Sequence, residues 1–316
     1  MKIYLVASGA SLSGGVGTYI KDLISLFPES LLISDDREAD IRLVGIRRIP
    51  TIAGIYRFLK FKRKNKGIYI YHSTAGLILS IVANLFLAER KNIIVYHGLA
   101  SRYSGFFVRI VEFMSCKLNH INVFMNYEDP AYLKANRFTF IPNYSSRVIA
   151  KRVSKTGDIV TVTRNTPQKD NSTVFKVAGM IDERIVLYTN QHDVPFFETK
   201  SIPNLLVKST RSKDEIYNQK SMFVLATFSE GFPLSVVEAA CSGLPILCSK
   251  LPILEGIFSD NVLYFTDYVD LKDKINKLLR DPGLHNDFSN RSIKLAREYT
   301  HDTWKENWST LLLNLK

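Results

Sequence analysis

The sequence predicts an α/β protein of two domains, each built on a parallel sheet. Three observations lead there. At 316 residues the chain exceeds one ordinary core and fits two domains of about 150 residues each. Short apolar runs with strand character alternate with stretches of helical periodicity along the whole chain. The first apolar run, over 2–7, meets a glycine-rich turn at 8–17 and then a helical pattern, which is how parallel α/β domains open.

The first helix is expected from Thr18 to about Phe27, with Tyr19, Ile20, Leu23, Ile24 and Phe27 on one face and Pro28 ending it. Further strands are expected at 30–34, 67–71, 92–96, 121–124 and 137–141, with helices near 53–65, 75–88, 102–118 and 128–135. A polar stretch at 150–158 marks a boundary near 143–158. The alternation then resumes with strands at 159–163, 173–178, 185–189, 205–208, 222–226, 245–249 and 262–265. Helices fall near 212–218, 234–241, 270–281 and 290–299. The domains are therefore 1–150 and 151–300. A last helix at 301–316, with Trp304 and Trp308 on one face, is placed to pack back across them.

With 46% apolar and 23% charged residues, the composition is that of a folding, soluble chain. Cys116, Cys241 and Cys248 have neither metal-ligand nor disulfide spacing, so they read as buried small hydrophobes in a reducing cytoplasm. The N-terminal run lacks the length and flanks of a signal peptide. No stretch reaches 18 uninterrupted apolar residues, so no transmembrane helix is expected. The charge is uneven. Through Arg152 there are 22 Lys plus Arg against 10 Asp plus Glu, and thereafter 20 against 20. The whole excess of +12 lies in the first half, which implies an anionic partner there. Two readings fit the basic run 55–66: an amphipathic element on an anionic membrane, or a solvated helix end. The aromatic stripe at 103–114 reads as core or as acceptor cleft. No aromatic-basic RNA motif or recognition helix supports a nucleic-acid partner.

The most informative stretch is 229–245, SEGFPLSVVEAACSGLP. Glu230 and Gly231 lie past the carboxyl end of the strand 222–226, where ligands bind in open parallel sheets. Pro233 suits the start of a helix, and Gly243 with Pro245 ends it. Glu230 is thus in the loop and Glu238 in the helix, and the helix N-terminus favours a phosphate.

Glu230, seven residues, then Glu238, Ala239, Gly243 and Pro245 resemble the pattern of retaining glycosyltransferase family 4, of GT-B architecture, two facing Rossmann-like domains with parallel sheets. The resemblance implies that Glu230 lies near the donor sugar and that Glu238 accepts hydrogen bonds from the nucleotide ribose. It gives the backbone of Gly231, Phe232, Pro233 and Leu234 to the sugar and diphosphate. Gly14, Gly15 and Gly17 match a glycine loop that approaches the donor diphosphate and the acceptor. His97, after the strand 92–96, matches a histidine that hydrogen-bonds the sugar, and His72 lines the cleft by the same logic. Arg164 and Lys169 match the spacing of an Arg–Lys pair that neutralises the diphosphate. Their neighbours Thr163 and Asp170 stand where the family has glycine. Asn143-Tyr144-Ser145 departs from the family's Asn-Gly-Val-Asp, and Glu255 resembles a common family position.

The expectation is a hexosyltransferase-type enzyme that moves a sugar, with retention, from a nucleotide sugar to a glycan or lipid-linked acceptor in bacterial surface polysaccharide synthesis. The first domain is the basic, acceptor side and the second takes the donor, with UDP expected from family frequency. Arg164, Lys169, Glu230 and His97 are the expected catalytic set. No metal or other cofactor is expected. The expected location is cytoplasmic, peripheral on the inner face of the plasma membrane if 55–66 binds it. The competing reading is a non-catalytic glycan- or nucleic-acid-binding protein on the same scaffold.

Overall fold

The chain is described here by a computed structural model covering residues 2–9, 14–47, 49–87, 92–102, 105–147, 149, 157–210 and 212–315. Residues 10–13 of the glycine-rich stretch, 103–104 of the aromatic stripe and 150–156 of the polar linker lie outside the described residues. Two compact units emerge, one of 1–143 with 304–316 and the other of 144–303.

The first unit runs β1 (Ile3–Val6), α1 (Gly14–Leu26), β2 (Leu31–Ser34), β3 (Ile41–Arg42), α2 (Ile52–Lys64), β4 (Ile68–His72), α3 (Ser73–Phe86), β5 (Asn92–Tyr96), α4 (Phe106–Leu118), β6 (Ile121–Phe124), α5 (Glu128–Tyr132) and β7 (Phe138–Phe140). Its seven strands pair in the order β3-β2-β1-β4-β5-β6-β7, all parallel. The central strands β4 and β5 are buried along their whole length, as continuous apolar runs require when helices cover both faces.

The second unit runs β8 (Asp158–Val162), α6 (Asn171–Ala178), β9 (Ile185–Tyr188), α7 (Val194–Glu198), β10 (Leu205–Lys208), α8 (Lys213–Tyr217), β11 (Lys220–Leu225), α9 (Leu234–Cys241), β12 (Ile246–Ser249), α10 (Pro252–Phe258), β13 (Leu263–Phe265), α11 (Tyr268–Arg280) and α12 (Pro282–Glu298). Six parallel strands pair in the order β10-β9-β8-β11-β12-β13. The last helix, α13 (His301–Leu313), carries the chain on to the residues that complete the first unit.

Several elements differ from expectation. The strand expected at 173–178 is helix α6. Asp170 accepts from the Thr173 N–H as its N-cap, and Thr173, Val174, Val177 and Ala178 are buried on one helical face. The β-branched content of that segment suggested a strand, but the cap and the i, i+3, i+4 burial decide it. Helix α1 begins at Gly14, not Thr18, so Gly14, Gly15 and Gly17 lie in its first turn and not in a loop. The two-residue strand β3 and the short helices α7 and α10 were not anticipated, being too brief for a periodic signal. Helix α12 starts at Pro282, capped by Asp281, well before the expected 290.

The basic run lies on helix α2. Phe58 and Lys62 are buried, and Ile55, Leu59 and Phe61 pack against the core, while Tyr56 stays exposed with the cations. Lys62 Nζ donates to Asn92 Oδ1 at 3.0 Å and stands 3.4 Å from the centre of the Tyr69 ring. From Asn92 a chain of amide hydrogen bonds passes to Asn84 (2.9 Å) and on to Asn119 (3.0 Å), tying α3 and the end of α4 to β5. Gly54 lets α2 approach Gly45, because a Cβ on Gly54 would stand 2.5 Å from the Gly45 carbonyl oxygen.

The first unit is closed by α13. Trp308 is fully buried, and its Nε1–H donates to the Tyr19 hydroxyl at 2.9 Å. The Trp304 ring meets Tyr19 edge-on at 5.4 Å. Trp308→Ala removes a large buried ring and leaves the Tyr19 hydroxyl without that donor. We expect it to destabilise the first unit by about 3–5 kcal/mol, read as a lowered unfolding midpoint in urea.

Candidate functional site

In the second unit the expected residues gather at the carboxyl end of β11. The loop leaving β8 is tied to this end: the Phe228 N–H and the Thr227 hydroxyl both donate to the Gln168 carbonyl, at 2.8 and 2.9 Å, and Lys169 bridges Thr227. The departures Thr163 and Asp170 have local work. The Thr163 hydroxyl donates to Asn171 Oδ1 at 2.7 Å, and Asp170 caps α6. This pinned loop carries Lys169 to Glu230, and the two form a direct ion pair with both side chains mostly buried. Arg164, at the mouth of the same loop, is exposed, and its side chain makes no ion pair or hydrogen bond among the described residues.

Pro233 occupies the N-cap position of α9 and no side chain caps that end. The Val236 N–H donates back to the Pro233 carbonyl at 3.0 Å, so an anion at this end would meet the N–H groups of Leu234 and Ser235. Phe232 is buried, its ring against Tyr299 (5.2 Å) and Phe258 (6.1 Å), so its side chain serves the core and only its backbone faces the loop. Glu238, one helical face further on, is buried and held from two directions. The Tyr217 hydroxyl donates to Oε2 at 2.8 Å, and Lys213 Nζ lies 2.8 Å from Oε1 and 2.9 Å from Oε2. Burial and the Glu238 charge push the Tyr217 phenol well above its ordinary range, so it stays a donor. The Arg147 guanidinium lies 5.4 Å from the Tyr217 ring centre and reaches Asp214, Asn218 and Ser242, bracing α8 against α9. Sequence reasoning missed Tyr217, Lys213 and Arg147. The one signal was an aromatic on the buried face of the expected 212–218 helix, which does not reveal its partner.

In the first unit, His72 ends β4 and His97 follows β5. The parallel register brings these strand ends together, and His72 Nδ1 stands 3.1 Å from His97 Nε2. The Tyr19 ring meets His97 edge-on at 4.8 Å. Ser73, with φ of 65°, turns the chain directly from β4 into α3. Such a backbone is rare outside glycine and marks a constrained corner beside His72. Burial lowers the His97 pKa to about 4. Burial and then the neighbouring His97 hold His72 well below the usual range. Gly14, Gly15 and Gly17 begin α1 in this unit, and a Cβ at Gly15 would meet nothing within 4 Å. Glu255 lies in α10 with its side chain half-buried. Among the described residues no group of three or more His, Cys, Asp or Glu could hold a metal ion.

The two parallel-sheet α/β units define the GT-B class of fold. Residues 203–295, which hold α8, β11, Glu230 and Glu238, match the family described as glycosyl transferases group 1. The alpha-galactosylglucosyldiacylglycerol synthase of Streptococcus pneumoniae is 24% identical over 94 residues, 30% of this chain and 25% of that protein. The poly(glycerol-phosphate) alpha-glucosyltransferase of Bacillus subtilis is 26% identical over 122 residues, 36% of this chain and 18% of its own. The match thus spans about a quarter or less of these curated relatives. Solved structures agree over the whole chain. Sucrose-phosphate synthase from Thermosynechococcus elongatus superposes with a TM-score of 0.82 at 14% identity, covering 100% of this chain and 99% of its own. Anabaena HepE in complex with UDP-glucose does so with 0.82 at 11%, covering 99% and 100%.

A folded-state pKa below the unfolded value near 6.5 means that His97 and His72 contribute stability above that pH and lose it as pH falls, His97 as pH approaches 4. We expect the His97 Cε1–H resonance to stay flat from pH 8 to 5.5 and the first unit to weaken progressively below pH 6. Proton NMR and urea unfolding across that range check both.

Proposed function

We propose that this chain is a nucleotide-sugar-dependent glycosyltransferase that transfers with retention to a glycan or lipid-linked acceptor in surface polysaccharide synthesis. One observation carries the reading: Lys169–Glu230, the uncapped N-terminus of α9 and the held Glu238 stand in sequence around a single strand end. That order matches the parts of a nucleotide sugar. The sugar would meet Glu230 and the Gly231–Leu234 backbone, the diphosphate Arg164, Lys169 and the helix N-terminus, and the ribose Glu238. Lys169 uses one of its three N–H donors on Glu230, so it keeps others for a phosphate oxygen. His97 is assigned a neutral hydrogen-bonding role toward the sugar, consistent with its lowered pKa.

In the proposed step the C1–phosphate bond breaks and a C1–oxygen bond to the acceptor forms on the same face. The acceptor proton passes to the departing phosphate, and the nucleoside diphosphate leaves. Arg164 and Lys169 stabilise charge that grows on the leaving group, the kind of interaction that lowers a barrier. UDP is the proposed nucleotide. The names of the Streptococcus and Bacillus relatives support a lipid or polyol-phosphate acceptor class.

The test is release of nucleoside diphosphate from a panel of nucleotide sugars, with and without lipid-linked acceptors. We expect turnover with one donor. Lys169→Ala should lower kcat about 10²–10³-fold. Glu238→Gln should weaken nucleotide binding about tenfold or more, read by calorimetry. Binding of no nucleotide sugar would sink the reading, and binding without turnover on any acceptor would favour a non-catalytic sugar-binding protein.

A further inference from the structure

We propose that α4, with the adjoining end of α3, forms a face that docks on a bilayer containing anionic phospholipid. The inward side of α4 is ordinary core, where Val111, Ser115 and Cys116 are buried. Its outward side carries Phe106, Phe107, Ile110, Phe113, Met114 and Leu118, all exposed, with Phe106 at 78% and Phe107 at 70%. At 100° per residue these six cover roughly 140° of a helix about 20 Å long. Helix α3 packs beside α4 and ends in Leu85 and Phe86, also exposed, at 60% and 73%. Soluble surfaces rarely gather so many large apolar side chains without a partner to cover them.

Charge selects the partner. Arg109 and Lys117 are exposed on α4, and its one acid, Glu112, turns inward to accept from Ala100 N–H and the Ser101 hydroxyl. On α2, which packs on the other side of α3, Arg57, Lys60, Arg63 and Lys64 are exposed. The apolar and cationic residues are thus divided between neighbouring helices. Aromatic side chains flanked by cations and free of outward carboxylates match the boundary between acyl chains and anionic headgroups. A second copy of this chain would bring like charge to like charge, since the net charge is +12. The apolar stripe offers a polyanion such as nucleic acid little to hydrogen-bond.

The proposal does not require sugar transfer, so vesicle binding and donor turnover fail independently. The experiment is flotation of the full chain with vesicles of phosphatidylglycerol and phosphatidylcholine, against phosphatidylcholine alone, in about 0.1 M salt. We expect flotation with the anionic vesicles, weakened by high salt. The double substitution Phe106→Ser with Phe107→Ser should cut vesicle affinity at least about tenfold. Phe113→Ser alone should give a smaller loss. Both variants should keep the wild-type melting temperature, since the rings removed are exposed. The proposal is overturned if the wild type does not float, or if the double variant floats as well as wild type. It is equally overturned if light scattering finds a dimer that the double variant dissolves.

Discussion

Everything in this molecule follows from strands that run one way. Among the described residues all eleven strand pairings are parallel, six in the first sheet and five in the second. A parallel pair needs a crossover, and the crossover must cover a face of the sheet. Both faces are therefore buried, and function is left to the strand ends. The carboxyl ends collect the loops, which is why His72 meets His97 in one unit and Lys169 meets Glu230 in the other although each pair is far apart in sequence. The same constraint sends α2, α3 and α4 to lie side by side, which makes a continuous helical surface available outside the first sheet.

Polar groups inside such a fold must find partners, and the first unit meets this with a relay and not with isolated contacts. Lys62, brought inward by α2, could not remain there unpaired, because an unpartnered buried cation is expensive. Asn92 accepts its hydrogen bond, and its own amide donates onward to Asn84, which donates to Asn119. The Tyr69 ring takes the cation's remaining face. This relay fixes three helices against β5, the strand after which His97 is placed. Rigidity around His97 is thus built from residues that never approach the candidate site.

The legible part of the sequence was the part written in periodicity. Strands at 92–96, 121–124 and 205–208 and the helix 234–241 coincide with the observed elements, because short apolar runs and a Pro-to-Gly bracket are local signals. The segment 173–178 misled because Thr173, Val174 and Val177 favour strands, while the deciding Asp170 cap lies outside the run. In the candidate site, Glu230 and Glu238 could be named through the family pattern that their motif resembles. Their partners could not, since Tyr217 lies 21 residues from Glu238 and Lys169 lies 61 from Glu230, distances that only tertiary packing closes. The orientation of exposed against buried aromatics was equally closed to the sequence. Residues 55–61 and 106–114 both mix aromatics with cations, yet Phe58 and Phe61 pack into the core while Phe106 and Phe107 face solvent.

The ion pairs of the second unit have a consequence for binding. Lys169 is matched to Glu230 and Lys213 to Glu238, so without a ligand each carboxylate is already neutralised. Partly buried pairs of this kind contribute little net stability, because desolvation offsets most of their attraction. Breaking one outright would still be costly, since it would strand a charge. Under the proposed function, an anion beside Lys169 would share the ammonium donors that Glu230 leaves over, and hydroxyl donors beside Glu238 would take the place of Lys213, so neither carboxylate is stranded. Tyr217 holds Glu238 throughout that exchange, because its phenol is buried and remains protonated. Lys213 is half-exposed and can turn to water, leaving carboxylate lone pairs for the incoming hydroxyls. A small anion alone would satisfy only the first exchange and a neutral diol only the second. Under the proposed function, a ligand that carries both groups would meet both carboxylate sites at once, which is how specificity arises from contacts that are individually weak.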